Sequence, residues 1–397
     1  MPSPSLPCPE PAFSPELGVL LAAVQEHDPA SICLQQALTL PFDWSALLNL
    51  ANNDKVITEI YTRLANASFA PDLPPQPLQQ LKSQYWTIAL RNQRLAETLL
   101  ETIHRLSQAG IPAIPFKGPV LAVQAYGDLR QRQFLDLDLL VAESDSLPAL
   151  HLLTQAGWQP EYPIDSRTAS WMVRSAYHLR LHRASPARPA DVLEIHWTIG
   201  DRSHVHPLKT ADLWADLSRF ELLGQELPAL SPANTLLAAC LHGASNQWQN
   251  LKWIVDIARL LASTGPPDWE PLLERARAIG YLRLLLTGLH LAQRACCASL
   301  PEALSRLIQA DREASALSQL VLQTILPTIQ SRSPLENNRF FLRSRERLHD
   351  RLYYIFDQAF IPKSADWEAV SLPSPLFPAY YLIRPLRLVR KFARLKP

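Results

Sequence analysis

The sequence predicts an α+β fold in which a small mixed β-sheet lies between two large α-helical regions. Residues 77–109 repeat apolar side chains at spacings of three, four and seven, which is typical of an amphipathic helix. Residues 135–141 alternate apolar and acidic side chains, as a half-buried strand does. From about residue 207 the helical pattern returns. Of the 397 residues, 47% are apolar and 19% are charged, so the chain can bury a sizeable core.

Five segments follow one another along the predicted fold. Prolines cluster at residues 2–15, 71–77 and 373–378, which mark the leader, the break before the long helix and the entry to the tail. In order, the predicted segments are a disordered Pro-rich leader (1–13), an N-terminal helical region (14–109), an α/β core (110–200), a C-terminal helical domain (201–372), and a Pro-rich entry with a basic amphipathic tail helix (373–397).

The N-terminal region contains three predicted helices, at about 15–27, 44–67 and 77–109. The first begins at Ser14-Pro15-Glu16, which combines a capping hydroxyl, a proline in the first turn and an acid near the helix N-terminus. The third is the longest, and Gly110 is suited to end it.

The core alternates short apolar runs with short helical patterns. Strands are predicted at 111–116, 135–141, 177–182 and 192–198, with helices at 119–126 and 147–156. Side chains two residues apart on a strand point to the same face. Asp136 and Asp138 are therefore expected on one face of their strand, and Glu194 and His196 on one face of theirs.

The remainder of the chain is predicted to be helical. The expected helices lie near 207–218, 232–243, 248–263, 269–279, 281–297, 301–310, 312–330, 337–360 and 379–395.

Composition excludes several classes of protein. With 38 basic and 37 acidic residues the formal charge is +1, which argues against a dedicated duplex-binding protein. The 11 glycines form neither GxGxxG nor GxxxxGKS/T, so the Rossmann fingerprint and the P-loop are absent. Five cysteines without a CxxC spacing favour a reducing compartment. Together with the lack of a long apolar run or an N-terminal secretory pattern, they predict a cytoplasmic protein.

The paired acids suggest a metal site. Two ionised carboxylates side by side repel each other, and a divalent cation removes that repulsion. Mg²⁺ suits hard oxygen ligands and binds through one or two carboxylates plus substrate phosphates. Glu194 lies on a separate strand of the same sheet, so it is the candidate for a third ligand beside Asp136 and Asp138. A solvated sheet face is the alternative interpretation of this pattern.

Four blocks of sequence carry a resemblance to a known family. Residues 114–118 are Ile-Pro-Phe-Lys-Gly, and residues 136–141 are Asp-Leu-Asp-Leu-Leu-Val, with Arg132 four residues before the first Asp. Residues 192–197 are Val-Leu-Glu-Ile-His-Trp. On the helical side, Leu-His-Gly at 241–243 precedes Leu-Lys-Trp-Ile-Val-Asp at 251–256. Together these blocks resemble the bacterial uncharacterised nucleotidyltransferase family, within the DNA polymerase β-like nucleotidyltransferase superfamily, over about residues 95–262.

The resemblance implies a nucleotidyltransferase core and a metal-dependent reaction that transfers a nucleoside monophosphate from an NTP to an unknown acceptor. The implied catalytic and metal-binding residues, for Mg²⁺ or Mn²⁺, are Asp136, Asp138 and Glu194. The implied nucleotide-binding residues are Lys117, Gly118, Arg132 and Lys252. The implied supporting residues are His196, His242 and Asp256.

Three features depart from the wider superfamily. Lys117-Gly118 stands where that superfamily has Gly-Ser or Gly-Gly, Pro119 offers no N–H to a phosphate, and the third acid is Glu194 rather than an aspartate. The departure at Lys117-Gly118-Pro119 motivates an alternative function, a non-catalytic nucleotide-binding or interaction module that retains the fold, beside the leading hypothesis of an enzyme.

The roles of three charged residues, Arg132, Lys252 and Asp256, stay open at this point. Arg132 either contacts phosphate or neutralises Asp136. Lys252 and Asp256 lie four residues apart on a helix, so they form either a surface ion pair worth little or a pair that faces the cleft.

The roles of the histidines are also considered from the sequence. His196 either orients Glu194 or is a hydrogen-bonded core histidine, and His242 is expected to be a buried histidine near a helix end rather than a ligand. Zinc is not expected at His178 and His182, because no third ligand has suitable spacing.

The expected partners are inferred from the net charge of the chain and from the pattern of its C-terminal tail. A small molecule or a protein hydroxyl is favoured as acceptor over nucleic acid. In the tail, basic side chains lie on one helical face (Arg384, Arg387, Lys391 and Arg394) and apolar side chains form a stripe (Leu382, Leu386, Val389 and Ala393). Residues 379–397 could contact an anionic membrane surface or an acidic partner. The favoured alternative is that the stripe docks on the chain's own helices.

Overall fold

A computed structural model of the chain describes residues 13–25, 32–162, 173, 176–185, 188–200, 208–265, 267–325, 333–370 and 372–393. The N-terminal helices are α1 (Pro15–Ala23), α2 (Ile32–Leu38), α3 (Trp44–Asn53), α4 (Ile57–Ala65) and α5 (Pro75–Gln108). The Ser14 side chain caps α1, as its sequence predicts. The helix expected over 44–67 is divided between α3 and α4, because Lys55 has a positive φ of 59°.

The central part of the chain contains the sheet. Its elements are β1 (Ile114–Pro115), α6 (Gly118–Tyr126), β2 (Leu137–Leu140), α7 (Ser146–Gln155), β3 (Gln159–Pro160), β4 (His178–Arg183), β5 (Asp191–His196), β6 (Thr198–Ile199), β7 (Leu208–Lys209), α8 (Thr210–Trp214), β8 (Leu217–Leu222) and β9 (Gln225–Leu230).

Helices dominate the C-terminal part. They are α9 (Pro232–Ser245), α10 (Leu251–Ser263), α11 (Trp269–Ile279), α12 (Leu282–Cys296), α13 (Glu302–Ala310), α14 (Arg312–Leu320), α15 (Pro334–Ser344), α16 (Leu348–Phe360), α17 (Ser364–Ala369) and α18 (Tyr380–Ala393). The segment expected as one helix over 312–330 ends its α-helix at Leu320 and continues as a π-turn over Val321–Ile325.

Five strands form one mixed sheet in the order β1-β2-β5-β4-β3. The β2 and β5 strands run parallel, and the other neighbours are antiparallel. Leu139 and Ile195, paired across β2 and β5, belong to the apolar core beneath the sheet. Asp138 and Glu194, also paired, lie on the opposite face. The predicted α+β fold, with a small mixed sheet and helical flanks, is confirmed.

Among the described residues, two large apolar clusters hold the chain together. One contains the second half of α5, the inner face of the sheet and the β8–β9 hairpin. The other joins the N-terminal helices to the C-terminal helices, for example through Leu20 and Ile60 on one side and Ile257 and Leu285 on the other. The two helical regions therefore share a core across the predicted borders at 109 and 201, and those borders stay a prediction. The predicted leader lies almost wholly outside the described residues.

The first two strands are shorter than expected. The run at 111–116 contributes only Ile114–Pro115, where proline removes a donor from the ladder. The strand expected over 135–141 covers Leu137–Leu140, so Asp136 comes just before it. This corrects the expectation that Asp136 and Asp138 lie on one strand.

The helix expected over 207–218 is wrong. The described residues there form β7, the short helix α8 and the start of β8. The β8–β9 hairpin turns at Leu223 and Gly224, which have φ values of 50° and 78°. Positive φ at both central residues is what a two-residue hairpin turn of type I′ requires. The side chains of Phe220 and Leu222 alternate into the core, which stabilises the hairpin.

The expected docking of the tail stripe is also wrong. Leu382, Leu386 and Val389 are exposed, whereas Arg384 is buried against Asp366. A buried arginine needs a paired carboxylate, and Asp366 supplies it, so the helix is held by its charged side. Among the described residues, no helix combines the length and the hydropathy that a bilayer crossing requires.

Candidate active site

Three polar side chains meet on the open face of the sheet. Asp138 and Glu194 are direct partners across the parallel β2–β5 pair. His196 lies two residues after Glu194, and its Nε2 is 3.1 Å from Asp138 Oδ1 and 3.2 Å from Glu194 Oε2. One ligand atom from each of the three residues lies within 4.8 Å of the other two. Strand register therefore brings together the second and third predicted acids.

A lysine from the first strand–helix connection completes this cluster. Lys117 precedes α6, and its Nζ lies 2.5 Å from Asp138 Oδ1. The carboxylate of Asp138 is thus shared between an ammonium group and an imidazole. Asp136 lines the same cavity but lies outside the trio of Asp138, Glu194 and His196, and its role as a metal ligand stays a prediction.

The charges of these acids depend on their neighbours. Burial raises the pKa of Asp138, but Lys117 and His196 outweigh burial and hold this pKa well below its usual range. Burial also raises the pKa of Glu194, but the hydrogen bond with His196 and the charge interactions with His196 and His178 together outweigh it, so the pKa falls to about 2. By contrast, burial and the nearby Asp138 raise the pKa of Asp136. Asp138 and Glu194 are therefore anionic at neutral pH.

This donor set fits a divalent cation. Two carboxylate side chains supply the oxygen ligands that Mg²⁺ and Mn²⁺ prefer, and an imidazole suits Mn²⁺ better than Mg²⁺. Residues Asp138, Glu194 and His196 could hold the ion. Lys117 contacts the same Asp138 oxygen as His196, so an ion at Asp138 would compete with this ammonium.

Gly118 lets the chain pass close to the acids. Its φ is +47°, and a Cβ at this position would lie 3.0 Å from the backbone oxygen of Asp136. A side chain would thus meet backbone that cannot move freely, at a conformation that L-residues rarely adopt. The glycine therefore allows α6 to begin directly beside Asp136.

Gly118→Ala is expected to lower the free energy of unfolding by about 1–2 kcal/mol, because of this conformation and the close approach. Chemical denaturation measures the change. Gly18→Ala is the matched control: Gly18 lies inside α1, and an added Cβ would meet no other group within 4 Å. This control is expected to be neutral or to stabilise by up to about 1 kcal/mol. Equal effects of the two substitutions would contradict this role of Gly118.

A buried ion pair lies at the edge of the cavity. Arg132 Nε and Nη2 donate to the two carboxylate oxygens of Asp256 at 2.7 and 2.8 Å, and both side chains are about 5% exposed. The Tyr126 hydroxyl also donates to Asp256, at 2.8 Å. Neither expectation for Arg132 anticipated this partner. Lys252 and Asp256 are both buried, so the alternative of a surface ion pair between them is wrong. A bidentate pair fixes α10 against the segment that precedes β2.

Lys252 lies on the first turn of α10 and faces the cavity. Asp54 accepts a hydrogen bond from the Leu251 backbone N–H at 2.8 Å, so the N-terminal region holds the start of this helix. Lys252 Nζ donates to the Gln133 carbonyl at 3.2 Å. Burial, and then the nearby Arg132, lower the pKa of Lys252 to about 7.

These groups surround one cavity of about 390 Å³. Nine of the ten residues predicted for the site line it, and Asp256 lies just behind it, bonded to Arg132. His242 lies at the wall as a half-buried residue in edge contact with Trp253, and burial lowers its pKa well below the usual value. The structure thus brings together residues from the stretch between β1 and the end of β2, from β5, and from the helices α9 and α10.

The sequence alone did not identify three further lining residues, Lys55, His178 and Trp253. His178 pairs with His196 across β4 and β5, and their rings stack at 5.0 Å. The alternation in β4 could have placed His178 on this face. Lys55 comes from the α3–α4 connection, and no sequence signal relates it to the sheet.

The chain matches a protein-family model over more than half of its length. This family, described as uncharacterised nucleotidyltransferase, matches residues 41–296. A similar solved structure is the crystal structure of an antigenic nucleotidyltransferase-like protein from Paracoccidioides brasiliensis. It is 14% identical with a TM-score of 0.32, and the alignment covers 57% of this chain and 92% of that chain. The comparison with curated proteins finds no match.

Proposed function

Because the chain belongs to the uncharacterised nucleotidyltransferase family, we propose that it transfers a nucleoside monophosphate from an NTP to an acceptor, with a divalent cation as cofactor. The observation that carries this proposal is the convergence of Asp138, Glu194 and His196 within 4.8 Å in a cavity that also presents lysines. Anionic ligands and cationic phosphate partners are then present in one site.

The acids and the lysines of the cavity have distinct roles in this proposal. Asp138, Glu194 and His196, with Asp136 beside them, would hold Mg²⁺ or Mn²⁺. The contacts of His196 with both carboxylates also keep them oriented. A bound cation would neutralise these acids and stabilise the charge that develops on the phosphates. Lys117 and Lys252 contact the triphosphate as point charges, and the backbone at Gly118 lies at the start of α6, which favours anions.

The proposed reaction forms a bond between an acceptor oxygen and the α-phosphorus and breaks the bond from that phosphorus to the bridging oxygen. Pyrophosphate leaves, and a carboxylate of the site takes the acceptor proton. Arg132 is held in its pair with Asp256, so we propose that it positions α10 rather than phosphate. A small molecule or a protein hydroxyl is the proposed acceptor. The proposed location is the cytoplasm, which supplies NTPs.

Calorimetric titration tests the binding half of this proposal. The wild-type chain is titrated with each NTP in the presence of Mg²⁺, of Mn²⁺, and of a chelator. Binding that needs the cation is expected, and it should weaken strongly in Asp138→Asn. Equal NTP binding with and without the cation, or no binding at all, would overturn the proposal.

One observation favours a second candidate, the non-catalytic nucleotide-binding module. Asp138 is already paired with both Lys117 and His196, so its charge is partly satisfied without a metal. This candidate predicts NTP binding without release of pyrophosphate, and an assay for pyrophosphate separates the two functions.

Nucleotide affinity is expected to fall as pH rises through about 7, because Lys252 then loses its charge. Titrations on both sides of this pH measure the effect. Lys252→Arg keeps its charge throughout, so it controls for ionisation of the nucleotide and is expected to show a smaller pH dependence. The same pH dependence in both chains would contradict a phosphate contact by Lys252.

The lowered pKa of Lys252 also makes the stability of the fold depend on pH. Above about pH 7 the folded chain has released the Lys252 proton, whereas the unfolded chain keeps it up to the ordinary value of 10.5. Because the unfolded state binds more protons in this window, Lys252 contributes stability that increases as pH rises.

A further inference from the structure

The tail helix α18 is attached to the chain through its charged side. Arg384 is 5% exposed, and it donates to Asp366 Oδ2 at 2.8 Å and to the Gln358 carbonyl. Arg387 Nε donates to the other oxygen of Asp366 at 2.6 Å. Asp366 is fully buried, so a helix orientation that removed these arginines would leave its charge buried and unpaired.

As a consequence, the apolar side of α18 faces away from the chain. Leu382, Leu386 and Val389 form the tail stripe, at spacings of four and three residues, and their exposed fractions are 71%, 64% and 67%. The adjacent helix α16 also exposes apolar side chains at helical spacing, namely Leu348, Leu352, Ile355, Phe356 and Phe360. Exposed apolar surface of this extent marks an interaction site.

Charge is distributed unevenly along the chain in a way that identifies the partner. Residues 333–397 contain 12 basic and 6 acidic residues. The whole chain has 38 basic and 37 acidic residues, so the part before residue 333 has 26 basic and 31 acidic residues. Three of those six acids, Asp350, Asp357 and Asp366, are buried. From residue 369 to the end the sequence has no acid, while Arg390 is exposed beside the stripe. The apolar surface is therefore accompanied by net positive charge.

We propose that α16 and α18 bind the surface of an anionic lipid bilayer, with the tail stripe inserted among the headgroups. An amphipathic helix with exposed leucines and basic neighbours has the chemistry of an interfacial helix. A second copy fits less well, because a two-fold contact would bring two positive surfaces together. An acidic protein fits less well too, because Leu382, Leu386 and Val389 offer no side-chain hydrogen-bonding group to it. This surface is separate from the proposed nucleotidyltransferase site.

Vesicle sedimentation with the full chain tests the proposal. Retention is measured on phosphatidylcholine vesicles and on vesicles that also contain phosphatidylglycerol, at low and high salt. Binding at least about tenfold stronger to the anionic vesicles is expected, with a loss at high salt. Leu382→Ser/Leu386→Ser should reduce binding by about tenfold or more, because each substitution removes apolar side-chain area that the bilayer would bury.

Leu40→Ser/Leu90→Ser is the matched control, because these leucines are 56% and 72% exposed elsewhere on the surface. It is expected to bind like the wild type, and thermal melting checks that both variants fold. Equal binding to neutral and anionic vesicles, or no binding, would overturn the proposal. So would a dimer, detected by light scattering, that the tail-stripe variant dissociates, because a second copy would then cover this surface.

Discussion

Asp138→Asn is expected to reduce metal-dependent nucleotidyl transfer by at least about 10³-fold. The substitution removes the anion at the centre of the site, where one carboxylate contacts both Lys117 and His196 and pairs with Glu194 across the strands. An amide cannot supply the negative charge that a divalent cation requires. Release of pyrophosphate from NTP, followed in the presence of Mg²⁺ or Mn²⁺, measures the loss.

Asp212→Asn is the matched control for this variant. Asp212 is an exposed carboxylate on α8 and does not line the cavity, so its substitution is expected to leave transfer within about twofold of the wild type. Thermal melting shows whether Asp138→Asn remains folded. A folded Asp138→Asn chain with wild-type transfer would exclude Asp138 as a metal ligand.

Asp256→Asn is expected to lower the free energy of unfolding by about 3–5 kcal/mol, because it leaves the buried Arg132 guanidinium without its bidentate partner. The Tyr126 hydroxyl loses its charged acceptor as well. Denaturant unfolding measures the change.

Two further variants test whether the loss of stability comes from the unpaired Arg132 charge. Glu302→Gln breaks an exposed pair with Arg306, and its cost is expected to be below about 1 kcal/mol. Arg132→Met/Asp256→Leu removes both charges and is expected to cost less than Asp256→Asn alone. If the single and double variants lose the same stability, the cost comes from packing and not from an unpaired charge.

The sequence was sufficient to predict the strand faces on which Asp138, Glu194 and His196 lie. Alternation of apolar and acidic residues placed Asp138 on the open face of a strand, and Glu194 with His196 on the open face of another. The parallel register then brings the two strands side by side. Local periodicity also predicted the long helix α5, because a single amphipathic helix needs no knowledge of its partner.

Contacts between distant segments could not be predicted in this way. Arg132 and Asp256 are 124 residues apart, so spacing on one helix suggested the wrong partner for Asp256. The β8–β9 hairpin was missed because its turn has Leu223 at a positive φ, where Asn or Gly would have given a recognisable signal. In α18 the hydrophobic pattern alone predicted a buried stripe, whereas the Arg384–Asp366 pair turns that stripe outwards.

Label transfer from NTP tests the central claim most directly. The wild-type chain and Asp138→Asn are incubated with Mg²⁺ or Mn²⁺, a fractionated metabolite or protein lysate, and NTP labelled at either the α- or the γ-phosphate. The account predicts that α-label, and not γ-label, becomes attached to an acceptor in the wild type, with release of pyrophosphate and with no transfer by Asp138→Asn. Cation-dependent NTP binding without transfer of α-label to any fraction, or transfer of γ-label, would contradict it.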